Sequence, residues 1–234
     1  MRILVTRPEP DAARTAETLR AAGHEVTIDS LLAVEPVAFA APAGEFAAAA
    51  VTSANALRAV AANPEIAKFK LLPLFALGVH TANAAREAGF PNIETADGDA
   101  RSLGETLARR LPAGTRVLYL AGENRARDLA AWTSPAKIAI ETLIVYRASV
   151  AKRFKDATAE KLQARELDAV LHFSPRSAAT FVALAREAGL ESALRSIRHL
   201  CLSAAVAAAL SEAGARAEIA PRPEEAALLA LLGA

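Results

Sequence analysis

Three segment types each occur twice along this chain, and the two copies run in different orders. The first is Ile3-Leu4-Val5-Thr6-Arg7 leading to Gly23-His24-Glu25-Val26; its echo is Val117-Leu118-Tyr119-Leu120-Ala121-Gly122 leading to Ile138. The second is Val51-Thr52-Ser53-Ala54-Asn55-Ala56, echoed by Phe173-Ser174-Pro175-Arg176-Ser177-Ala178. The third is Leu77-Gly78-Val79-His80-Thr81-Ala82 up to Ala88-Gly89, echoed by Leu202-Ser203-Ala204-Ala205-Val206-Ala207 up to Ala213-Gly214. Between residues 47 and 145 the order is second, third, first; the other copy reads first and then, after a long gap, second and third. One copy is therefore split around the other. Self-similarity of this kind constrains architecture before any single motif does. It predicts two similar domains, a discontinuous one from residues 1–32 and 150–234 and an inserted one from 41–142. Segments 33–40 and 143–149 carry the chain out and back in opposite directions, so they can pair as an antiparallel ribbon. The length of 234 residues suits two domains, each of roughly 100–120 residues.

Short apolar runs alternate with amphipathic stretches. Strands are expected at 3–6, 26–29, 48–52, 72–77, 92–95, 116–121, 137–140, 169–173, 199–203 and 217–220. Helices are expected at 11–22, 81–88, 102–111, 176–188 and 204–213. Gly23, Gly89, Gly189 and Gly214 each follow an Ala where a helix should end, the place where a left-handed residue lets the chain turn away. Strand–helix alternation predicts an α/β fold, with a doubly wound parallel sheet covered by helices on both faces in each domain. Ligands on such sheets bind beyond the carboxyl ends of the strands, where strand order reverses.

Composition closes off several function classes. Apolar residues make up 53% of the chain and aromatic residues only 5%, so the core is aliphatic and a disordered chain is excluded. Net charge is +1, which gives no field to gather nucleic acid or an anionic membrane. The lone cysteine, Cys201, cannot form a disulfide within the chain, and a reducing, cytoplasmic compartment is expected. The opening Met1-Arg2-Ile3-Leu4-Val5-Thr6-Arg7-Pro8 reads as a strand broken by proline and not as a signal peptide. No uninterrupted apolar run reaches the roughly 20 residues that span a bilayer.

Phosphate-binding glycine loops and zinc-binding HExxH spacing are both missing from the sequence, and His24, His80, His172 and His199 are scattered. His172 and His199 lie in strand patterns and read as core or edge residues. No metal and no organic cofactor is expected. What remains is a set of hydroxyl-bearing strand-to-helix turns. The candidate ligand-facing loops are 7–11, 174–177 and 203–204 in the first domain, and 52–55, 78–81 and 122–125 in the second. They offer Arg7, Ser174, Arg176, Ser177 and Ser203 on one side, and Thr52, Ser53, Asn55, Thr81, Gly122, Asn124 and Arg125 on the other. Ordinary helix capping accounts for any one such turn. As a set around one cleft they would suit an anionic ligand, because free N–H groups and the helix dipole favour negative charge. Arg7 can either pin a ligand carboxylate or brace its loop to a backbone carbonyl. Tyr146, on the return strand Ile144-Val145-Tyr146-Arg147, is either a packing aromatic or a proton-donating phenol. Tyr119 is mid-strand and reads as core; Trp132 reads as packing.

Taken in order, Val5-Thr6-Arg7-Pro8, the Thr52-Ser53-Ala54-Asn55-Ala56 turn, Gly78-Val79-His80-Thr81-Ala82, Val145-Tyr146-Arg147 and Phe173-Ser174-Pro175-Arg176-Ser177 resemble the uroporphyrinogen-III synthase family over nearly the whole chain. The resemblance implies two flavodoxin-like domains joined by a two-stranded antiparallel linker. It implies a cofactor-free enzyme that closes hydroxymethylbilane to uroporphyrinogen III, inverting ring D through a spiro intermediate and losing water. It places Tyr146 at the position linked to departure of the hydroxyl. Thr52, Ser53, Thr81, Ser174 and Ser177 fall at positions that contact substrate. The third turn of the first domain departs from the pattern, with Ser203-Ala204 where the family more often has Gly. The expected partner is the small-molecule substrate, with a transient contact to the preceding pathway enzyme, and the chain is expected to be a monomer. The alternative reading is a non-catalytic clamshell protein that binds a polyanionic small molecule. A nucleotide-sugar transferase of two doubly wound domains would usually need a longer chain.

Overall fold

Four-residue apolar runs form strands here because each is buried on both sides. Ala48, Ala49, Ala50 and Val51 have no exposed surface, and neither have Ile3, Leu4 and Val5. Such runs suit parallel strands covered on both faces. The structure, a computed structural model, describes residues 1–96, 99–124 and 129–233. Its strands are β1 (Arg2–Val5), β2 (Glu25–Ile28), β3 (Leu32–Pro36), β4 (Ala48–Val51), β5 (Leu74–Leu77), β6 (Ile93–Ala96), β7 (Arg116–Gly122), β8 (Ala139–Val150), β9 (Ala169–His172), β10 (Arg198–Cys201) and β11 (Ala217–Ile219). Its helices are α1 (Asp11–Ala21), α2 (Ala54–Val60), α3 (Gly78–Glu87), α4 (Ala100–Arg110), α5 (Ala130–Thr133), α6 (Asp156–Gln163), α7 (Pro175–Glu187), α8 (Glu191–Ser196), α9 (Ala204–Glu212) and α10 (Glu225–Ala230).

The chain divides into two units, Met1–Ala33 with Ser149–Ala234, and Val34–Ala148. The first holds a sheet in the order β11-β10-β9-β1-β2, and all its pairings are parallel. The second holds the order β3-β8-β7-β4-β5-β6. Leaving out β3, the second order maps strand for strand onto the first, with β8 for β2, β7 for β1, β4 for β9, β5 for β10 and β6 for β11. Each sheet therefore has the flavodoxin-like order, and the second unit enters it at its third strand. Strand order reverses between β1 and β9 in one unit and between β7 and β4 in the other.

Alternation along the strands feeds two cores per sheet. In the first unit Leu4 and Val170 face α6 to α9, while Ile3, Val5 and Leu171 face α1 and α10. In the second, Ala49, Val51 and Leu118 face α2 and α3, while Ala48, Ala50 and Val117 face α4 and α5.

The expected strand at 137–140 and the return segment after it form one strand, β8, of 12 residues. Nothing between Ile140 and Leu143 can turn the chain, and β7 offers a parallel partner along the whole stretch. On its other side β8 meets β3 antiparallel, with Val37 N–H donating to Val145 at 2.9 Å and Ala151 N–H to Leu31 at 3.0 Å. The ribbon is thus an extension of the second sheet.

Candidate functional site

In the first unit, the crevice where strand order reverses lies beyond the ends of β1 and β9. Thr6 ties the two strands together, its hydroxyl donating to the Leu171 carbonyl at 2.9 Å. Arg7 follows and is almost wholly buried. Its guanidinium lies 4.1 Å from the centre of the Phe173 ring. Nη1 donates to Glu225 Oε2 at 3.0 Å and to Thr15 Oγ1 at 3.2 Å, and Nη2 lies 3.3 Å from Asp11 Oδ2. This arginine already faces two carboxylates from its own chain. It braces β1 to α1 and α10 through side chains, whereas the two readings from sequence were a ligand carboxylate and a backbone carbonyl. Glu225 and the stacking on Phe173 carry no local sequence signal.

Phe173 leads directly into the next turn. Ser174 sits at the N-cap of α7 in extended conformation, with Pro175 at the first helical position. Its Oγ accepts from Ser177 N–H at 3.1 Å and donates to Ser177 Oγ at 3.0 Å. Ser177 is buried. Arg176 is half-buried in the first turn of α7 and has no ion pair among the described residues. Ser203 is the N-cap residue of α9, but its side chain makes no capping bond, so its hydroxyl is not spent on the helix.

In the second unit the corresponding crevice lies between β7 and β4. Ser53 caps α2, accepting from Asn55 N–H at 3.2 Å. Asn55 Oδ1 accepts from Arg58 Nη1 at 3.1 Å. Thr52 Oγ1 lies 2.8 Å from the hydroxyl of Tyr119, a residue the sequence assigns to the core. Tyr119 is buried, but its phenol reaches the strand end and fixes the Thr52 hydroxyl. The next turn opens α3 at Gly78, whose φ of +77° is left-handed backbone that favours glycine. Val79 beside it is exposed, and Thr81, in the first turn of α3, is buried.

Gly122 ends β7 and Tyr146 stands opposite it on β8. A Cβ built on Gly122 would lie 2.5 Å from Cζ of Tyr146 and 2.8 Å from its hydroxyl oxygen. The phenol therefore lies directly over the Gly122 backbone. Beside this pair, Glu123 and Arg147 form a two-pronged ion pair at 2.7 and 3.1 Å. The Arg147 hydrogen bonds hold the Glu123 carboxyl below its ordinary pKa, and the Glu123 carboxylate raises that of Arg147. Asn124 is exposed at the end of the described turn. Arg125 lies outside the described residues.

The expected site residues thus fall into two sets. Arg7, Ser174, Arg176, Ser177 and Ser203 belong to the first unit; Thr52, Ser53, Asn55, Thr81, Gly122, Asn124 and Tyr146 belong to the second. Among the described residues, no group of three or more His, Cys, Asp and Glu gathers as metal ligands would, and no helix is long and apolar enough to cross a membrane. The helix N-termini at the strand ends can accept carboxylates on free N–H groups.

A family model described as uroporphyrinogen-III synthase HemD matches residues 13–230. Among solved structures, the chain is similar to the uroporphyrinogen-III synthetase of Helicobacter pylori 26695, with 19% identity and a TM-score of 0.70, over 99% of this chain and 98% of that one. It is also similar to a mutant uroporphyrinogen III synthase of the extremely thermophilic bacterium Thermus thermophilus, with 20% identity and a TM-score of 0.60, over 100% and 96% of the two chains. At these identities the structural likeness speaks to the fold. No curated protein matches the sequence.

Proposed function

This chain belongs to the uroporphyrinogen-III synthase HemD family, and from that premise we propose that it closes hydroxymethylbilane to uroporphyrinogen III. The observation that carries the reading is the family match itself, which runs through both units from residue 13 to residue 230. The reaction class is that of a cyclising hydro-lyase. The hydroxyl of the linear tetrapyrrole leaves as water, and ring D is inverted through a spiro intermediate before the macrocycle closes.

The linear substrate also closes spontaneously without inversion, so the protein's main task is to hold the reacting ends in one geometry. Well-oriented intramolecular reactions gain on the order of 7–11 kcal/mol this way. The N–H groups and hydroxyls at residues 52–55, 78–81, 174–177 and 203–204 hold the carboxylates of the substrate. Tyr146 donates a proton to the departing hydroxyl, a form of general acid help typically worth about 10²–10⁴ in rate. The residues of these turns do this without a cofactor. A cytoplasmic monomer, meeting the preceding pathway enzyme only in passing, fits the single cysteine and near-neutral charge.

The test is to incubate the purified protein with hydroxymethylbilane, oxidise the products and separate the isomers. Isomer III is expected. Isomer I alone, as in buffer, would refute the proposal and favour a protein that binds without turning over.

A further inference from the structure

Strands β7 and β8 pair in parallel, in step from Arg116 opposite Ala139 to Ala121 opposite Ile144. The next pair is Gly122 opposite Tyr146, so Val145 has no partner and forms a bulge. The consequence is a change of face. Side chains on a strand alternate, so Ile144 and Tyr146 would ordinarily point to the same side. Ile144 packs into the core beside α4 and α5, with Ala121. Val145 and Tyr146 both pack into the core beside α2 and α3, with Leu120. The bulge has turned Tyr146 to the face that carries the N-terminus of α2, and bulges commonly re-aim a side chain in this way.

On that face the ring must lie over residue 122. With no side chain there, the phenol comes within 2.8 Å of where a Cβ would stand. We infer that Gly122 is a positioning residue: its missing side chain and the adjacent bulge together place the Tyr146 phenol. This rests on the reading of Tyr146 as the proton donor and gives Gly122 a role other than touching substrate. Gly122 is strand backbone outside the left-handed region, so alanine is compatible with its conformation. The Tyr146 ring is only partly buried, so it can swing aside where a core ring could not. Gly122→Ala should therefore move the phenol and leave the fold intact.

The experiment uses the full chain labelled with 3-fluorotyrosine. The sequence has two tyrosines, so two fluorine resonances are expected, and Tyr146→Phe assigns them. In Gly122→Ala the Tyr146 resonance should move while that of Tyr119 stays in place. An unmoved Tyr146 resonance overturns the inference whatever the activity. In kinetics, kcat of Gly122→Ala should fall to the level of Tyr146→Phe, on the order of 100-fold, with KM unchanged. The double variant should be no slower than either single one, because two changes acting through one group do not add. A raised KM with full kcat, or a double variant slower by the product of both losses, would mean that Gly122 meets the substrate itself and would overturn the positioning role. If Tyr146→Phe alone keeps the full rate, the proton-donor reading falls, and the resonance still decides whether Gly122 places the ring.

Discussion

His172 Nε2 lies 3.0 Å from His199 Nδ1, and neither ring has any exposed surface. The proton positions follow by elimination. His199 Nε2 is 2.9 Å from the Leu194 carbonyl, which can only accept, so that nitrogen carries the hydrogen. His199 Nδ1 is then the acceptor in the neutral ring, and His172 Nε2 donates to it. His172 Nδ1 is left as a bare acceptor, with no partner among the described residues. Burial pushes His172 well below its ordinary pKa, and the neighbouring His199 adds to this; burial lowers His199 as well.

Acid sensitivity follows from this pair. Both pKa values are lower in the fold than in the unfolded chain, so below the ordinary histidine value of about 6.5 the unfolded chain binds more protons. Stability is therefore full above that pH and falls as the pH drops through it, until the buried rings themselves protonate. The slope should approach roughly 1.4 kcal/mol per pH unit for each ring. Urea denaturation in steps between about pH 7.5 and 5 checks this, because the carboxylates held down by arginine partners, such as Asp168 by Arg2, lose their contribution only at lower pH. A flat profile across that range would exclude the mechanism.

Removing the guanidinium of Arg7 should act on stability ahead of substrate binding. Arg7→Ala takes one cation from Asp11, which is buried and keeps Arg14, and from Glu225, whose side chain is 39% exposed and keeps the Thr15 hydroxyl. Breaking a buried ion pair costs about 3–5 kcal/mol, and the partners that remain together with the exposure of Glu225 bring the expected loss to about 2–3 kcal/mol. For a chain of this size that is roughly 5–10 °C in Tm. Arg7→Lys should recover little, since a single ammonium cannot meet Asp11, Thr15 and Glu225 while stacking on Phe173. A raised KM at unchanged Tm would instead assign Arg7 to a substrate carboxylate.

The α/β fold was legible because its signals are local. The apolar runs at 3–6, 48–52 and 169–173 become β1, β4 and β9 within a residue or two, and helix exits such as Gly23 do adopt left-handed backbone. What stayed hidden depends on pairing across long stretches of chain. Arg7 meets Asp11 four residues away but Glu225 lies 218 residues on, and only the folded sheet brings that carboxylate near. Tyr119 sits in a mid-strand pattern that reads as core, and its bond to Thr52 spans 67 residues. The bulge at Val145 is a property of two strands together, so neither sequence segment reveals it. Tyr146 and Gly122 were each visible as candidates, while their contact was not.

The Tyr119–Thr52 bond predicts a coupled pair. Tyr119→Phe deletes one partner of a 2.8 Å hydrogen bond in a partly buried setting and should cost about 1 kcal/mol. Thr52→Val should cost a similar amount, and the double variant little more than either, because both delete the same bond. Purely additive losses would show that the two hydroxyls do not depend on each other. If the fixed Thr52 hydroxyl also receives a substrate carboxylate, Tyr119→Phe should raise KM while kcat holds.

The serines at the helix starts separate capping from ligand binding. Ser174 spends its oxygen on Ser177 N–H, so Ser174→Ala should lose about 1 kcal/mol, the usual worth of an N-cap. Ser203 occupies the same kind of position on α9 but makes no capping bond. Ser203→Ala should therefore stay within about 0.5 kcal/mol of the parent, as a surface substitution does. Melting curves read the first comparison, and KM for hydroxymethylbilane reads the second. If the Ser203 hydroxyl is held for the substrate, its loss raises KM with no change in melting, whereas for Ser174 both quantities move. Equal destabilisation by the two alanines would show that Ser203 caps its helix after all, and the hydroxyl would then have no claim on the substrate.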